Sequence, residues 1–258
     1  MKAYELISEL NRISVVNGKT VDTVKYGSDE REVKKLAVAM HGTVNVIKEA
    51  SKWGADLLIV HEPIYYNHDD NFIETPVTVA KKELLSKSGL TVFRYHDHMH
   101  SHFPDLITQG EMNALGLKGK VIKTDYYASY LFIPDQNKTA SELAEIIKQN
   151  LSVKHLRVCG EMNKPIKKMA LCFGTPAGVF DLLSDETVDA VLTGEACEWQ
   201  LAEYARDAAQ LGINKSLFII GHCGSERDGM KLLAQNIERN HSDISVKYFE
   251  CEEVYNTL

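Results

Sequence analysis

The sequence predicts an α/β fold. Helix-period segments alternate with strand-like segments along most of the 258-residue chain, a pattern typical of layered α/β proteins. Several of the strand-like segments are short apolar runs bounded by turn residues, as expected of parallel strands buried on both faces. At roughly 100–200 residues per domain, the length suits one large domain or two small ones.

The elements of the first half are bounded by recognisable turn and cap residues. Apolar residues at helical spacing, from Leu6 to Ile13, predict a helix near the start. Strands are predicted at 33–40, 56–60 and 90–95, and helices at 43–53, 76–88 and 106–115. Gly54 ends the second helix, while Pro76 and Gly89 bound the third, because Pro suits a first helical turn and Gly suits the position after the last.

The residue composition changes in the second half of the chain, which predicts a second domain. Residues 126–133 are rich in aromatic and β-branched side chains and predict a strand, and Thr139 and Glu142 have capping-box spacing before a helix. Further strands are predicted at 156–159, 168–173, 188–192, 216–220 and 244–249, and further helices at 196–211 and 230–237. If the last strand returns to the first sheet, residues 1–125 plus 220–258 form the first domain, and 126–219 form the second.

Composition and charge exclude several classes of protein. Apolar residues make up 44% and charged residues 25%, which excludes a collagen-like or disordered chain. The net charge of −7 disfavours nucleic acid as a partner. No apolar run approaches the ~20 residues of a membrane span, so no membrane partner is expected. Five scattered cysteines without a C-x-x-C motif indicate reduced thiols and a cytoplasmic location.

Candidate metal ligands follow three of the predicted strands. The side chains are imidazoles and carboxylates: His61 and Glu62 after the first strand, His96, His98, His100 and His102 after the second, and His222 and Glu226 after the third. Ligands of open α/β sheets bind beyond the carboxyl ends of the strands. If the three strands are parallel neighbours, these donors converge at one edge of a sheet.

The donor types indicate a transition-metal site. Mixed imidazole and carboxylate sets suit Zn, Mn, Fe or Co. The donors outnumber those that one tetrahedral ion needs, which favours two ions sharing a carboxylate. Glu226 is the bridging candidate, because it lies four residues after His222 near the start of a predicted helix. No phosphate-binding glycine motif, nucleophile elbow or zinc-finger spacing competes with this hypothesis.

Each candidate also has a purely structural interpretation. The 96–102 cluster could be a solvated loop, and Glu62 could cap a turn. Glu195 and Glu198 could favour a helix N-terminus or lie at the mouth of the site. Other residues are assigned structural roles: Met99 as an apolar anchor, Cys223 as a packed thiol, and His41, His68, His155 and His241 as surface or hydrogen-bonded histidines.

The sequence resembles the Nif-three-like family of dinuclear-metal proteins, whose members are called GTP cyclohydrolase 1 type 2 homologues. The resemblance spans nearly the whole chain. It depends on four stretches: His61-Glu62-Pro63, the histidine-rich stretch after Tyr95, Thr193-Gly194-Glu195, and the block from Gly221 to Gly229. It implies two interlocked α/β domains with mixed sheets, a metal site in the cleft between them, and a ring-shaped homohexamer.

The resemblance also assigns residues. His61, His222 and Glu226 match family ligands, while Glu62 stands where the family has a histidine and His100 where it has an aspartate. These two exchanges keep the number of donors and of carboxylates unchanged. The implied metal set is therefore His61, Glu62, His100, His222 and Glu226, binding two divalent transition-metal ions (Zn, Fe, Mn or Co) per chain. His96, which matches a family histidine, or His98 could transfer protons during catalysis.

Three functions remain open from the sequence. The first is a metal-dependent hydrolase, cyclohydrolase- or phosphatase-like, acting on a small nucleotide-like or phosphorylated substrate. The second is a non-catalytic metal carrier, delivery factor or regulatory scaffold, which would use the same ligands. The third is a binding module for nucleic acid or protein, which the acidic charge disfavours. An open coordination position beside a substrate-sized pocket would distinguish the hydrolase from the carrier.

Overall fold

The computed structural model describes residues 1–255 of the chain. Within that range no helix is both long and apolar enough to cross a membrane. The α-helices there are Ala3–Asn11 (α1), Val44–Trp53 (α2), Pro76–Ser88 (α3), Asp97–His100 (α4), Leu106–Leu115 (α5), Ala140–Asn150 (α6), Val179–Ser184 (α7), Glu203–Gln210 (α8) and His222–Asn240 (α9). A π-helical segment, Glu198–Ala202, directly precedes α8.

The strands alternate with these helices in chain order. They are Val24–Tyr26 (β1), Lys35–Ala39 (β2), Leu57–Val60 (β3), Thr91–Arg94 (β4), Gly119–Lys123 (β5), Tyr130–Pro134 (β6), Lys138–Thr139 (β7), Arg157–Gly160 (β8), Pro165–Ile166 (β9), Met169–Cys172 (β10), Ala190–Thr193 (β11), Ser216–Ile219 (β12) and Ser245–Tyr248 (β13). This alternation and the mixed sheets described below confirm the predicted α/β class with mixed sheets.

The chain forms two compact units. The first contains residues 1–102 and 230–252, and the second contains 103–229 and the described residues from 253 onward. Helix α9 is divided between them, its first eight residues belonging to the second unit. The sequence-based domain boundaries at 125 and 220 stay a prediction.

The first unit contains a five-stranded sheet in the order β1-β4-β3-β2-β13. Strands β4, β3, β2 and β13 run parallel, while β1 pairs antiparallel with β4. Every residue of β3 and β4 is buried, which explains why β3 is a continuous apolar run. The pairing of β13 with β2 returns the last strand to the first sheet, as the sequence analysis anticipated.

The second unit contains a six-stranded sheet in the order β5-β6-β10-β11-β12-β8 and a short pair, β7-β9. Its centre is parallel, because β11 pairs in parallel with both β10 and β12. This arrangement corrects one expectation. Strands β3 and β4 are parallel neighbours, but β12 belongs to the other sheet, so the three ligand-bearing strands do not share one edge.

Helix boundaries follow from the cap residues. Thr75 caps α3, Pro76 begins it, and Gly89 closes it in the left-handed conformation with φ 71°. The capping box between Thr139 and Glu142 is present at α6, where each residue accepts a hydrogen bond from the other's backbone N–H. Local side-chain chemistry therefore fixes these ends, and the sequence shows it.

Lys81 gives the first unit a testable pH dependence. Its side chain in α3 is 4% exposed, and its Nζ donates to the Ile64 carbonyl at 2.8 Å. Burial lowers the pKa of Lys81 to about 8, although Asp70 opposes the change. Between pH 8 and 10.5 the unfolded chain binds the proton that the folded chain has released, so stability rises with pH across this window. We expect thermal denaturation to show wild type gaining stability relative to Lys81→Met from pH 8 to 10. A stability difference between the two proteins that stays constant over this pH range would contradict the lowered pKa of Lys81.

Candidate metal centre

Three histidines of the first unit converge on one point. His61 follows β3, His96 directly precedes α4, and His100 is the last residue of α4. One ring nitrogen from each lies within 4.8 Å of the other two, and the Nε2 atoms of His61 and His100 are 3.2 Å apart. The His61 and His96 rings stack with centroids 4.5 Å apart. The parallel pairing of β3 with β4 brings these residues together, since both strands end at the same edge.

The surroundings of His61 favour its neutral form. Its Nδ1 lies 3.0 Å from the Tyr95 carbonyl oxygen, which can only accept, so Nδ1 carries the proton and Nε2 has the lone pair. Burial lowers the pKa of His61 well below 6.5, and the neighbouring His96 and His100 lower it further. A neutral imidazole with Nε2 directed at other donors is the form that binds metals.

His96 is oriented by a carboxylate. Its Nδ1 lies 2.9 Å from Oδ1 of Asp97, while Oδ2 of Asp97 accepts from the Thr20 hydroxyl at 2.8 Å and the Val21 N–H at 3.0 Å. Burial acts to raise the pKa of Asp97, but the hydrogen bonds from His96, Val21 and Thr20 outweigh it and hold the pKa below its usual range. Carboxylate–histidine pairs of this kind fix the ring of a metal ligand.

Asp22 organises the backbone that carries these rings. Its Oδ1 accepts from the N–H groups of His96 and Asp97 at 2.7 and 3.0 Å. Its Oδ2 accepts from the N–H of His98 at 2.9 Å and lies 2.6 Å from Nδ1 of the same residue. Asp22 is 4% exposed. One buried carboxylate therefore holds the whole first turn of α4 and the His98 ring.

Arg94 fixes the chain around Glu62. The guanidinium is fully buried, and its Nε donates to the His61 carbonyl at 3.0 Å. Its Nη1 donates to the His68 carbonyl, and its Nη2 lies 3.9 Å from Oε2 of Glu62. Glu62 thus forms an ion pair beside His61, with a side chain that is 13% exposed.

The second unit contains a donor pair at the start of α9. The Nε2 of His222 lies 3.1 Å from Oε2 of Glu226, and Nδ1 lies 2.7 Å from Oε1 of Glu195. Glu226 is only 3% exposed. The spacing of four residues places both side chains on one helix face, as predicted. Glu195 therefore orients the His222 ring through Nδ1, as Asp97 orients the His96 ring.

Two glycines let the neighbouring loops approach this pair. A Cβ on Gly174 would lie 2.2 Å from Oε1 of Glu226 and 3.5 Å from Nε2 of His222, and one on Gly194 would lie 2.4 Å from the Ser225 hydroxyl. Gly174 also has φ +68°, a conformation that favours glycine. The Ser225 hydroxyl is itself held in place, because its Oγ accepts a hydrogen bond from the Gly174 N–H at 2.9 Å.

The donors present fit a transition metal. Two nitrogens bound at 2.0–2.1 Å to a tetrahedral ion are about 3.3 Å apart. The 3.2 Å between His61 and His100 and the 3.1 Å between His222 and Glu226 are close to that separation. In His61, His96 and His222 alike, Nδ1 faces an oxygen acceptor, and in His61 and His222 Nε2 lies 3.2 and 3.1 Å from another potential ligand atom. These residues could hold a metal ion of the type that prefers imidazole and carboxylate.

The remaining candidates are distributed as follows. His98 is 8% exposed and contacts Asp22, while His102 is exposed at the surface. Met99 is fully buried, as an apolar anchor should be. Glu198 pairs with Arg157. His155 and His241 pair with Glu253 and Glu9.

Sequence reasoning missed several contributors. Asp22, Arg94, Asp97 and Gly174 were not singled out. His68 is exposed, as predicted, and its ring also lies edge-on to His96 with centroids 5.7 Å apart. Asp97 could have been found from its place between two candidate histidines. Asp22 gave no such signal, because it lies 74 residues from His96 in the chain.

Comparison with known protein families gives a match along the whole chain. The model of Duf34/NIF3 (NGG1p interacting factor 3) matches residues 1–256. A "GTP cyclohydrolase 1 type 2 homolog" of Clostridium perfringens is 27% identical over 260 residues, covering 95% of this chain and 94% of its own. A protein with the same name from Clostridium acetobutylicum is 23% identical, covering 82% and 79%.

Solved structures show the same fold. A Bacillus cereus protein described as related to NIF3 superposes with a TM-score of 0.79, covering 100% of this chain and 99% of its own at 13% identity. A protein of unknown function, ybgI, superposes with a TM-score of 0.76, covering 98% and 99% at 22% identity. At these identities the likeness establishes the architecture alone.

Proposed function

Because this chain belongs to the Duf34/NIF3 family, we propose that it is a dinuclear metal-dependent hydrolase. Its substrate class is a small nucleotide-like or phosphorylated molecule, in line with the cyclohydrolase name of its curated relatives. The observation that carries the proposal is the common orientation of His61, His96 and His222. Each has Nδ1 against an oxygen acceptor, and in His61 and His222 Nε2 lies 3.2 and 3.1 Å from another potential ligand atom.

We assign the ligands in two groups. In the first unit His61, Glu62 and His100 bind metal, and His96 joins them. In the second unit His222 and Glu226 bind metal. The cofactor is two divalent transition-metal ions per chain, drawn from Zn, Fe, Mn and Co. Arg94, Asp97 and Glu195 are positioning residues, because each contacts a ligand residue and orients it.

The chain's own groups define the chemistry. When bound, divalent metals supply Lewis acidity toward a substrate oxygen or water. His61 stays neutral because it is buried, so it offers a lone pair at neutral pH. The sequence offers His96 and His98 for proton transfer, and with His96 assigned as a ligand, His98 is the candidate that remains. His98 is held by Asp22 and lies outside the three-histidine cluster, so His98→Gln should lower kcat while leaving the metal content unchanged.

Turnover tests the hydrolase directly. Metal-free protein is reconstituted separately with Zn, Mn, Fe or Co and incubated with GTP, and formate and phosphate release are measured. The proposal predicts release that depends on metal and falls at least about 100-fold in His100→Ala. Two tightly bound ions without turnover on GTP or a panel of phosphate esters would contradict the hydrolase. Ready exchange of those ions with a chelator would then favour the metal carrier.

Glu226→Ala tests the second ligand group. We expect this variant to lose at least one metal ion per chain, because the substitution removes a ligand carboxylate. Its circular dichroism and melting should remain those of a folded protein, because alanine is smaller than glutamate and creates no steric clash. His41→Ala is the matched control, since His41 is outside the proposed ligand set, and it should retain the wild-type metal content. Full occupancy in Glu226→Ala would refute the bridging assignment.

Assembly and location belong to the same proposal. We propose a homohexamer in the cytoplasm, supported by the family resemblance and by five cysteines that form no disulfide in the described residues. Light scattering should give the mass of six chains at micromolar concentration, and a monomeric mass would contradict the ring.

A further inference from the structure

The second unit contains an open cavity at the carboxyl ends of parallel strands. It has a volume of about 450 Å³, within the range of pockets that bind small molecules. Strands β10 and β11 are parallel neighbours, and the segments that follow them form its walls. Residues lining it include Thr175, Asp181, Glu195, Cys197, Gln200 and Leu201.

The cavity's polar groups are mainly hydrogen-bond acceptors. Asp181 and Glu195 provide carboxylates, and Gln200 and Thr175 add an amide and a hydroxyl. None of the described residues that line it is Lys, Arg or His. Such a lining disfavours a phosphate group and favours a ligand that donates N–H hydrogen bonds, because a carboxylate accepts two parallel N–H groups well.

The cavity lining also includes apolar side chains. Leu201 and Val179 are 5% and 8% exposed and belong to the core between the sheet and helices α7 and α8. Phe180 also lines the cavity, and its ring packs edge-on against Tyr204 with centroids 5.3 Å apart. Apolar side chains together with carboxylates suit a planar ring bearing amino groups.

Two further observations mark the cavity as functional. Gln200 and Leu201 come from the π-helical segment Glu198–Ala202, a rare conformation that is frequent at functional sites. Glu195 links the cavity to the candidate metal centre, because it lines the cavity while its Oε1 accepts from Nδ1 of His222 at 2.7 Å.

We propose that this cavity binds the amino-bearing ring of a small planar nitrogen heterocycle. Asp181 and Gln200 then determine specificity, and Glu195 connects the bound ring to His222. Tyr126 holds Asp181 in place by donating its hydroxyl hydrogen to Oδ2 at 2.8 Å. As an account of substrate recognition, this inference rests on the proposed function. The binding itself can be tested without turnover.

The test uses the full chain with its bound metal and 2-aminobenzimidazole as the probe. Titration calorimetry compares it with 2-methylbenzimidazole, which has nearly the same shape without the amino group, and with benzoate. We expect the amino probe to bind at least about tenfold more tightly than either. Asp181→Asn and Gln200→Leu should each weaken that binding by about tenfold. Glu186→Gln removes the same charge from an exposed residue outside the cavity and should change nothing.

Cys197 provides a second readout of the same binding. It is exposed and lines the cavity, so the bound probe should slow its alkylation by iodoacetamide, measured by peptide mass spectrometry. Equal binding of the three probes, no binding at 10 mM, or equal loss in Asp181→Asn and Glu186→Gln would each overturn the proposal. Metal content is measured on the same samples. Metal without probe binding refutes the cavity assignment alone, and probe binding without metal refutes the proposed function alone.

Discussion

Gly174→Ala is expected to remove metal from the second ligand group. The added Cβ would lie 2.2 Å from Oε1 of Glu226, a distance that real contacts do not reach. Glu226 is 3% exposed and packed beside His222, so the carboxylate must swing away from the imidazole. Displacing a ligand in this way should lower metal affinity by about 100-fold, measured by competition with a chelator.

A second glycine separates this effect from backbone strain. Gly174 has φ +68° and Gly212 has φ +77°, but a Cβ on Gly212 would meet nothing within 4 Å. Both alanine variants should lose about 1 kcal/mol of stability, because both force a left-handed conformation on a residue with a side chain. Only Gly174→Ala should lose metal. Equal metal affinity in the two variants would show that Glu226 does not bind the ion.

Asp22→Ala should be the most destabilising substitution near the histidine cluster. It removes the acceptor for three successive backbone N–H groups and for the His98 ring. Buried donors left without partners are costly, so the free energy of unfolding should fall by about 3 kcal/mol. The melting temperature should fall by about 6–12 °C. Metal affinity should also fall by about 10–100-fold, because the turn that carries His96 and His100 is released.

Asp29→Ala is the matched control for Asp22. Asp29 is exposed, and its replacement should change stability by less than about 0.5 kcal/mol. Differential scanning calorimetry on chelator-treated protein isolates the stability effect from metal binding. If Asp22→Ala melts like Asp29→Ala under these conditions, the carboxylate does not organise α4.

The sequence predicts elements best where local chemistry fixes them. Helices α3 and α5 have the predicted bounds, 76–88 and 106–115, because a capping side chain begins each and a glycine ends it. The start of α9 at His222 was placed only approximately, since glycines and charged residues obscure its first turns. Strands β1 and β5 and helices α4 and α7 were not predicted, being short or lacking clear periodicity.

The sequence likewise predicts one part of the candidate site and misses another. Its ligands were found because imidazoles and carboxylates stand out directly after apolar strands. The residues that orient them were missed, because Asp22 and Arg94 act through contacts between distant parts of the chain. The sequence also could not show that β12 lies in a different sheet from β3 and β4, because an apolar run does not specify which strands it pairs with.

Metal content per chain decides whether this protein carries a dinuclear centre. Protein is purified without added metal or chelator and analysed for Zn, Fe, Mn and Co by elemental analysis. A dinuclear centre predicts about two transition-metal ions per chain. It also predicts that His100→Ala and Glu226→Ala each lower that value. A wild-type value near zero, with only weak rebinding of added metal, would contradict it and show that Glu62 and His100 do not sustain a metal centre.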